Sequence, residues 1–354
     1  MPQTLWKACM ATNTLSPLLV QTLRIDSAQH PRGEPHLSAA SGLVRVRQRL
    51  YVVADDELHL GIFDEPMAPH VGLGLANDSL HPIGSLLRLV AGALPQDKGQ
   101  RKKAKPDFES LVHLPPLPGC PAGALLALGS GSKPNRETGV LIALDVQGQP
   151  NGRMATVDLA GLYAPLRKRF ADLNIEGALL VSGELLLLQR GNKGQALNAC
   201  IRFDWNQMAP WLAGVATQAP AAKGVQLLEL GSAGDVPLGF TDGAALHGGA
   251  WAFSAVAENT SNSYQDGACV GSAIGTVGAD GQLQSLHLLE GAPKVEGLAV
   301  SAHAGGGWVC TLVTDPDDPS VAAQLLQVQL PPYHKPEPLK PADPPLPKNK
   351  ARSG

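Results

Sequence analysis

A three-residue motif recurs at an almost constant interval along this chain of 354 residues, and that repeat constrains the fold more than any other feature. An acidic residue is followed by Gly or Ser and then by Leu or Ala opening an apolar run. The copies are Glu109-Ser110-Leu111, Glu176-Gly177-Ala178, Asp242-Gly243-Ala244 and Glu296-Gly297-Leu298. Ser41-Gly42-Leu43 is a fifth, with serine in place of the carboxylate. The central residues fall at 42, 110, 177, 243 and 297, at intervals of 68, 67, 66 and 54.

A second apolar run follows each motif: Leu50–Asp56, Leu125–Ser132, Leu185–Asn192, Ala252–Asn259 and Trp308–Asp315. Polar or Gly-rich turns separate the two, as at Val181-Ser182-Gly183-Glu184, which is hairpin chemistry. Further strand-like runs complete most units, for example Val140–Asp145 with Ala155–Leu159, and Ala199–Asp204 with Val225–Leu230. Four short strands per repeated unit predict an all-β propeller of five blades, a six-bladed ring being the alternative. The 39 glycines and 30 prolines suit many tight connections, and 44% hydrophobic residues supply a core.

The last unit has three good strands, ending at Ala323–Leu330. Thr22–Ile25 is therefore predicted to supply the missing outer strand and close the ring, because an open blade edge exposes unpaired backbone groups. The expected divisions are an N-terminal extension over 1–19, the propeller over 20–330, and a Pro-rich disordered tail over 331–354. Asp158–Leu173 has apolar residues at helical spacing and is the one short helical insertion expected, bordering the channel mouth. Gln96–Pro106, with five basic residues, reads as a solvated loop.

The tail holds five basic and two acidic residues, leaving 23 basic against 29 acidic in the body. Such a surface suits no phosphate backbone, so nucleic acid is not an expected partner. No apolar stretch reaches membrane-spanning length and no signal peptide is evident, so a cytoplasmic monomer is expected. Five scattered cysteines without C-x-x-C spacing predict neither a zinc site nor a disulfide framework.

In a propeller the start of the innermost strand and the end of the second strand lie on one face. Glu109, Glu176, Asp242 and Glu296 are thus expected around one mouth of the channel, with Asn135, Arg136, Arg190, Asn192 and Glu258 on the same face. Converging carboxylates repel unless a cation intervenes. A hard ion such as Ca²⁺ on Glu109, Glu176, Asp242 and Glu296 is one solution. Arg136 and Arg190 neutralising the ring, or holding an anionic substrate, is another. The plain structural alternative is that each acid caps its own strand. Gly129-Ser130-Gly131-Ser132-Lys133 resembles a phosphate cradle, but a strand follows where a P-loop has a helix.

Leu128-Gly129-Ser130-Gly131-Ser132 with Asn135-Arg136, Leu173-Asn174-Ile175-Glu176-Gly177 and Gln189-Arg190-Gly191-Asn192 resemble an uncharacterised bacterial propeller family. That family is related to the domain called "esterase-like activity of phytase". The Glu-Gly openings are also similar to calcium-dependent lactonases of the regucalcin and paraoxonase type, although those have six blades and Asn-Gly signatures missing here. The resemblance covers residues 35 to 330 in pattern and implies hydrolysis of a small anionic ester or phosphoester. In that reading Glu176 is the general base or a metal ligand, Arg136 and Arg190 are catalytic, and Lys133, Asn135, Asn192 and Glu258 contact the substrate. A non-catalytic binding propeller and a glycosidase with paired axial carboxylates are the alternatives.

Overall fold

The computed structural model describes residues 14–66, 83–192, 194, 197–260 and 267–332. The tail beyond Pro332 and residues 1–13 lie outside them. The first strands are β1 (Thr14–Leu15) and β2 (Leu18–Thr22). The first blade follows as β3 (Ala40–Val46), β4 (Arg49–Ala54), β5 (His59–Asp64) and β6 (Ser85–Arg88). The second is β7 (Phe108–Leu114), β8 (Ala124–Gly129), β9 (Thr138–Leu144) and β10 (Pro150–Asp158). The third is β11 (Ile175–Val181), β12 (Glu184–Gln189), β13 (Asn198–Asp204) and β14 (Gly224–Leu228). After a small hairpin of β15 (Ser232–Ala233) and β16 (Val236–Pro237), the fourth is β17 (Gly239–Ala245), β18 (Trp251–Glu258), β19 (Cys269–Val277) and β20 (Leu283–Leu289). The fifth is β21 (Val295–Ala302), β22 (Trp308–Thr314) and β23 (Gln324–Leu330), completed by β2.

Consecutive strands within each blade pair antiparallel, because short apolar runs joined by tight turns can only fold back on themselves. The turn between β11 and β12 is two residues long, and both Ser182 (φ 52) and Gly183 (φ 77) are left-handed, the geometry whose twist matches paired strands. The innermost strands β3, β7, β11, β17 and β21 each contact the next, and β21 returns to β3. The chain is a five-bladed β-propeller. Apolar side chains fill the seams between blades, for instance Leu187, Ile201 and Tyr163 between the second and third.

The N-terminal segment closes the ring, four residues earlier than expected. β2 pairs with β23 from Leu18↔Gln327 to Thr22↔Gln324. Beyond Thr22 the chain is pulled into the junction with the first blade. There the Leu23 amide donates to Ala323 O at 2.9 Å, Leu37 donates to Leu23 O at 3.0 Å, and Leu23 and Ile25 are buried. β1 adds a parallel fifth strand to the fourth blade, so the boundary expected at residue 20 falls inside a strand that clamps the ring.

Three short helices are described where one was expected: α1 (Lys98–Ala104), α2 (Ala160–Arg167) and α3 (Trp205–Leu212). α2 lies within the predicted 158–173 segment, with Pro165 inside it and Phe170 and Leu173 buried just beyond. It covers the seam between the second and third blades: Tyr163 Oη donates to Gly129 O at 2.8 Å and Arg167 Nη1 to Glu137 Oε1 at 2.5 Å. α1 forms in the basic run read as a solvated loop. Asp97 caps it, accepting from the Gln100 amide at 2.8 Å. Among the described residues no helix is long and apolar enough to cross a membrane.

Candidate axial site

A β-bulge at the start of every innermost strand builds the site. Pairing with the second strand skips one residue in each blade: Ser41, Glu109, Glu176, Thr241 and Glu296. A bulge re-aims the side chain of the extra residue. Here it points Glu109, Glu176 and Glu296 into one cavity of about 130 Å³ at the channel mouth.

The fourth motif is out of step by one residue. Its bulged position is Thr241, and Asp242 occupies the place held by Gly42, Ser110, Gly177 and Gly297 elsewhere. That place faces the crowded centre of the ring. A Cβ at Gly177 would stand 3.0 Å from Asp242 Cα, and one at Gly297 2.9 Å from the Leu43 amide nitrogen. Asp242 is accordingly fully buried and does not line the cavity. Its carboxyl accepts from the amides of Gly243 at 2.8 Å, Leu298 at 2.9 Å and Leu43 at 3.4 Å, stapling three blades. Burial pushes its pKa well up, against the pull of those amides. Thr241 Oγ1 bonds Val295 O at 2.8 Å and Ser254 Oγ at 2.9 Å.

Ten carboxyl and seven cationic side chains line the cavity. Arg190, in the connection after β12, is the hub of one half. Its Nη2 donates to Glu258 Oε2 at 2.9 Å, while Nη1 stands 3.4 Å from Glu176 Oε1 and 3.9 Å from Glu296 Oε2. Those two oxygens are thus within about 7 Å of each other, a range over which paired carboxyls work as acid and base. Asn174 Nδ2 also donates to Glu176 Oε1. Glu296 Oε2 is buried without a hydrogen-bond partner. Burial pushes Glu296 well above the usual carboxyl range, with Arg190 and Lys294 pulling it back. Glu176 is raised by burial too, opposed first by Arg190.

Lys294 is a second buried cation, with its Nζ 2.6 Å from Asp317 Oδ1, 3.0 Å from Glu258 Oε1, 3.2 Å from Asp315 Oδ2 and 3.7 Å from Glu296 Oε1. Burial opposes its charge, but Asp315, Glu296, Glu258 and Asp317 hold its pKa well above the ordinary lysine value. Burial takes Asp315 to about 7, even beside Lys294.

The other half is covered by α1 and the residue after it. Lys98 Nζ reaches Asp317 O at 3.0 Å across the mouth, Arg101 Nε lies 3.2 Å from Asp56 Oδ2, and Lys105 Nζ binds Asp55 and Asp107. Burial takes Asp56 to about 6, with Asp55 and Glu57 adding to the rise. The basic run is therefore not a solvated loop. Acidic groups beneath it draw it down.

Of the residues expected to touch a substrate, Glu258 and Asn192 line the cavity, and Asn192 Nδ2 donates to Asp172 Oδ2 at 2.6 Å. Arg136 lines it as well, but its guanidinium is spent on the protein: Nη1 donates to Asp107 Oδ2 at 2.7 Å and Ser132 Oγ at 2.8 Å, and Nη2 to Lys102 O at 3.0 Å. Asn135 and Lys133 are exposed and outside the lining. Asn135 Nδ2 instead holds the carbonyls of Lys105 at 3.0 Å and Lys103 at 3.2 Å, pinning the end of α1.

The calcium set expected on Glu109, Glu176, Asp242 and Glu296 does not fit this geometry. Backbone amides hold Asp242, and a guanidinium stands between Glu176 and Glu296. Sequence reasoning also passed over Asp107, Asn174 and Lys294. Each lies two residues before a bulged glutamate and lines the same cavity, so the offset −2 from the motif was the signal that could have found them.

A profile of a family of unknown function, DUF6910, matches residues 101–319. The chain belongs to that family. A comparison with curated proteins finds no match. Among solved structures, the chain is similar to a luciferin-regenerating enzyme at 12% identity and a TM-score of 0.40, over 89% of this chain and 95% of that one. It is similar to a glutaminyl cyclase from Myxococcus xanthus at 10% identity and a TM-score of 0.43, over 90% and 99%. An α-L-arabinofuranosidase from Podospora anserina aligns at 9% identity and a TM-score of 0.45, over 91% and 99%. At such identity no activity carries over.

Proposed function

We propose that the axial cavity hydrolyses a small carboxylic ester or lactone, with Glu176 as general base and Glu296 as general acid. The observation that carries this reading is the pair itself: two buried glutamates facing one Arg190 nitrogen, one of them with a buried oxygen that has no hydrogen-bond partner. Carboxyls driven apart in protonation by their surroundings are the usual basis of acid and base roles. Glu176, whose charged form Arg190 and Asn174 favour, takes a proton from the water that attacks the carbonyl carbon. Glu296, whose protonated form burial favours, gives its proton to the departing oxygen as the carbon–oxygen bond breaks. Arg190 and Lys294 lie where negative charge on the tetrahedral intermediate gains most.

Two observations narrow the substrate. Arg101, Lys105, Arg136, Arg190 and Lys294 each already face a carboxylate, so the buried cations are largely neutralised and a doubly charged phosphoester suits the cavity less well than a neutral or singly charged ester. The cavity of about 130 Å³ is close to the ~150 Å³ that admits a benzene ring, so its interior suits a small group. A small ester with at most one negative charge suits both. The resemblance of three short segments to the phytase-type esterase domain agrees with this chemistry. A panel of small esters, lactones, phosphoesters and glycosides tests it: turnover of an ester or lactone that is lost in Glu176→Gln with an unchanged melting temperature supports the reading, and turnover of phosphoesters or glycosides alone overturns it.

A further inference from the structure

The corner of the mouth beneath α1 holds three carboxylates that no part of the proposed hydrolysis uses. One oxygen from each of Asp55, Asp107 and Glu109 lies within 4.8 Å of the others. That is the spacing of oxygens around a hard divalent ion, since two ligands on opposite sides of Ca²⁺ at about 2.4 Å are about 4.8 Å apart. A cation is already there, and it is covalently attached. Lys105 is buried at 6% exposure, and its ammonium donates to Asp55 Oδ2 and, at 2.9 Å, to Asp107 Oδ1. Burial, Glu176, Asp107 and Asp55 push the pKa of Glu109 up, and the same Lys105 ammonium pulls it back.

The backbone fixes Lys105 in this place. Its amide donates to Arg101 O at 2.9 Å and its carbonyl accepts from Asn135 at 3.0 Å. Arg136 holds Lys102 O at 3.0 Å, and the same Arg136 takes the far oxygen of Asp107, leaving Oδ1 for the lysine. The second blade thus pins the strap at the point where the ammonium enters the corner.

We propose that Lys105 is a tethered counter-ion standing where a hard divalent cation would bind, so that the native mouth excludes such an ion and the Asp55–Asp107–Glu109 corner becomes a divalent-cation site once the ammonium is removed. This inference is independent of the hydrolase reading, because it concerns only what occupies the corner. An ammonium on a short tether has a high effective concentration and must be displaced before any ion enters. Without it, three carboxylates converge with no charge between them, and an oxygen-loving ion is their strongest partner.

Calorimetric titration of the full chain with Ca²⁺, Mg²⁺ and Mn²⁺, with thermal melts in each ion and in EDTA, tests the proposal. The native protein and Lys105→Arg should show no stoichiometric binding at 1 mM ion, on the order of the affinity of weak extracellular calcium modules, and no shift in melting. Lys105→Met should bind one ion with at least tenfold higher affinity than the native chain and melt several degrees higher with it than in EDTA. Adding Glu109→Gln to Lys105→Met should weaken that binding at least tenfold. If Lys105→Met does not fold without ions, recovery of the native circular dichroism spectrum in any of the three supports the proposal, and no recovery in all three overturns it. Stoichiometric binding by the native chain that Glu109→Gln removes, or a folded Lys105→Met that binds none of the ions, also overturns it.

Discussion

Arg190 Nη2 donates to Glu258 Oε2 at 2.9 Å, joining the third blade to the fourth through a buried charge. The same guanidinium faces Glu176 and Glu296, so it serves three carboxyls, two of which, Glu258 and Glu296, also face Lys294. Arg190→Ala should therefore cost stability as well as activity. Removing one partner of a buried ion pair costs about 3–5 kcal/mol, since the remaining charges stay buried. Chemical denaturation at pH 8 checks the loss. At pH 5.5, where the orphaned carboxyls take up protons, the loss should be distinctly smaller.

The acidic mouth should make the native chain more stable in mild acid than in mild base. Asp315 at about 7, Asp56 at about 6, and Glu296 and Glu109 well above their ordinary values all bind protons more tightly folded than unfolded. Stability from such groups is fully present below the unfolded value near 4 and is lost as pH rises through the folded one. His59 and Glu57, both lowered, act in the opposite sense and erode stability as pH falls through the folded value of each. Melting temperature should thus peak between about pH 4 and 5 and fall toward pH 8. A flat profile from pH 5 to 8 would contradict the burial of these carboxyls.

Much of this architecture was legible because a propeller repeats its inner hairpin. The interval between motifs located the five innermost strands, and the polar ends of the second strands located the face. The bulge was not legible. Without it, Asp242 looked equivalent to Glu109, Glu176 and Glu296, although it pairs with Ser254 and faces the ring centre one residue out of step. Nor did Gln96–Pro106 disclose that it packs on the mouth. A run of charges usually faces solvent, and only the three-dimensional convergence of Asp55, Asp56 and Asp107 shows why this one does not.

Asp242→Ala should destabilise the ring without touching the cavity. Three buried amides, from Gly243, Leu298 and Leu43, would lose their acceptor at about 1–3 kcal/mol each at most. Asp242→Asn keeps one acceptor oxygen and should cost about half as much. Denaturant midpoints of the two variants, read beside unchanged hydrolysis at low temperature, check both halves of the claim.

Removing residues 1–22 should open the ring. The deletion strips β2 from β23 and β1 from β20, leaving two blade edges unpaired. A markedly lower melting temperature and concentration-dependent association are expected by calorimetry and light scattering.

The central claim, that Glu176 and Glu296 form an acid–base pair, is tested most directly by the pH dependence of kcat/KM on whichever small ester or lactone the native chain turns over. The account predicts a bell-shaped profile. Its acidic limb should vanish in Glu176→Gln, where only residual turnover remains, and its basic limb should vanish in Glu296→Gln, with melting temperatures near that of the native chain. Profiles in which both variants keep native rates and both limbs would contradict it.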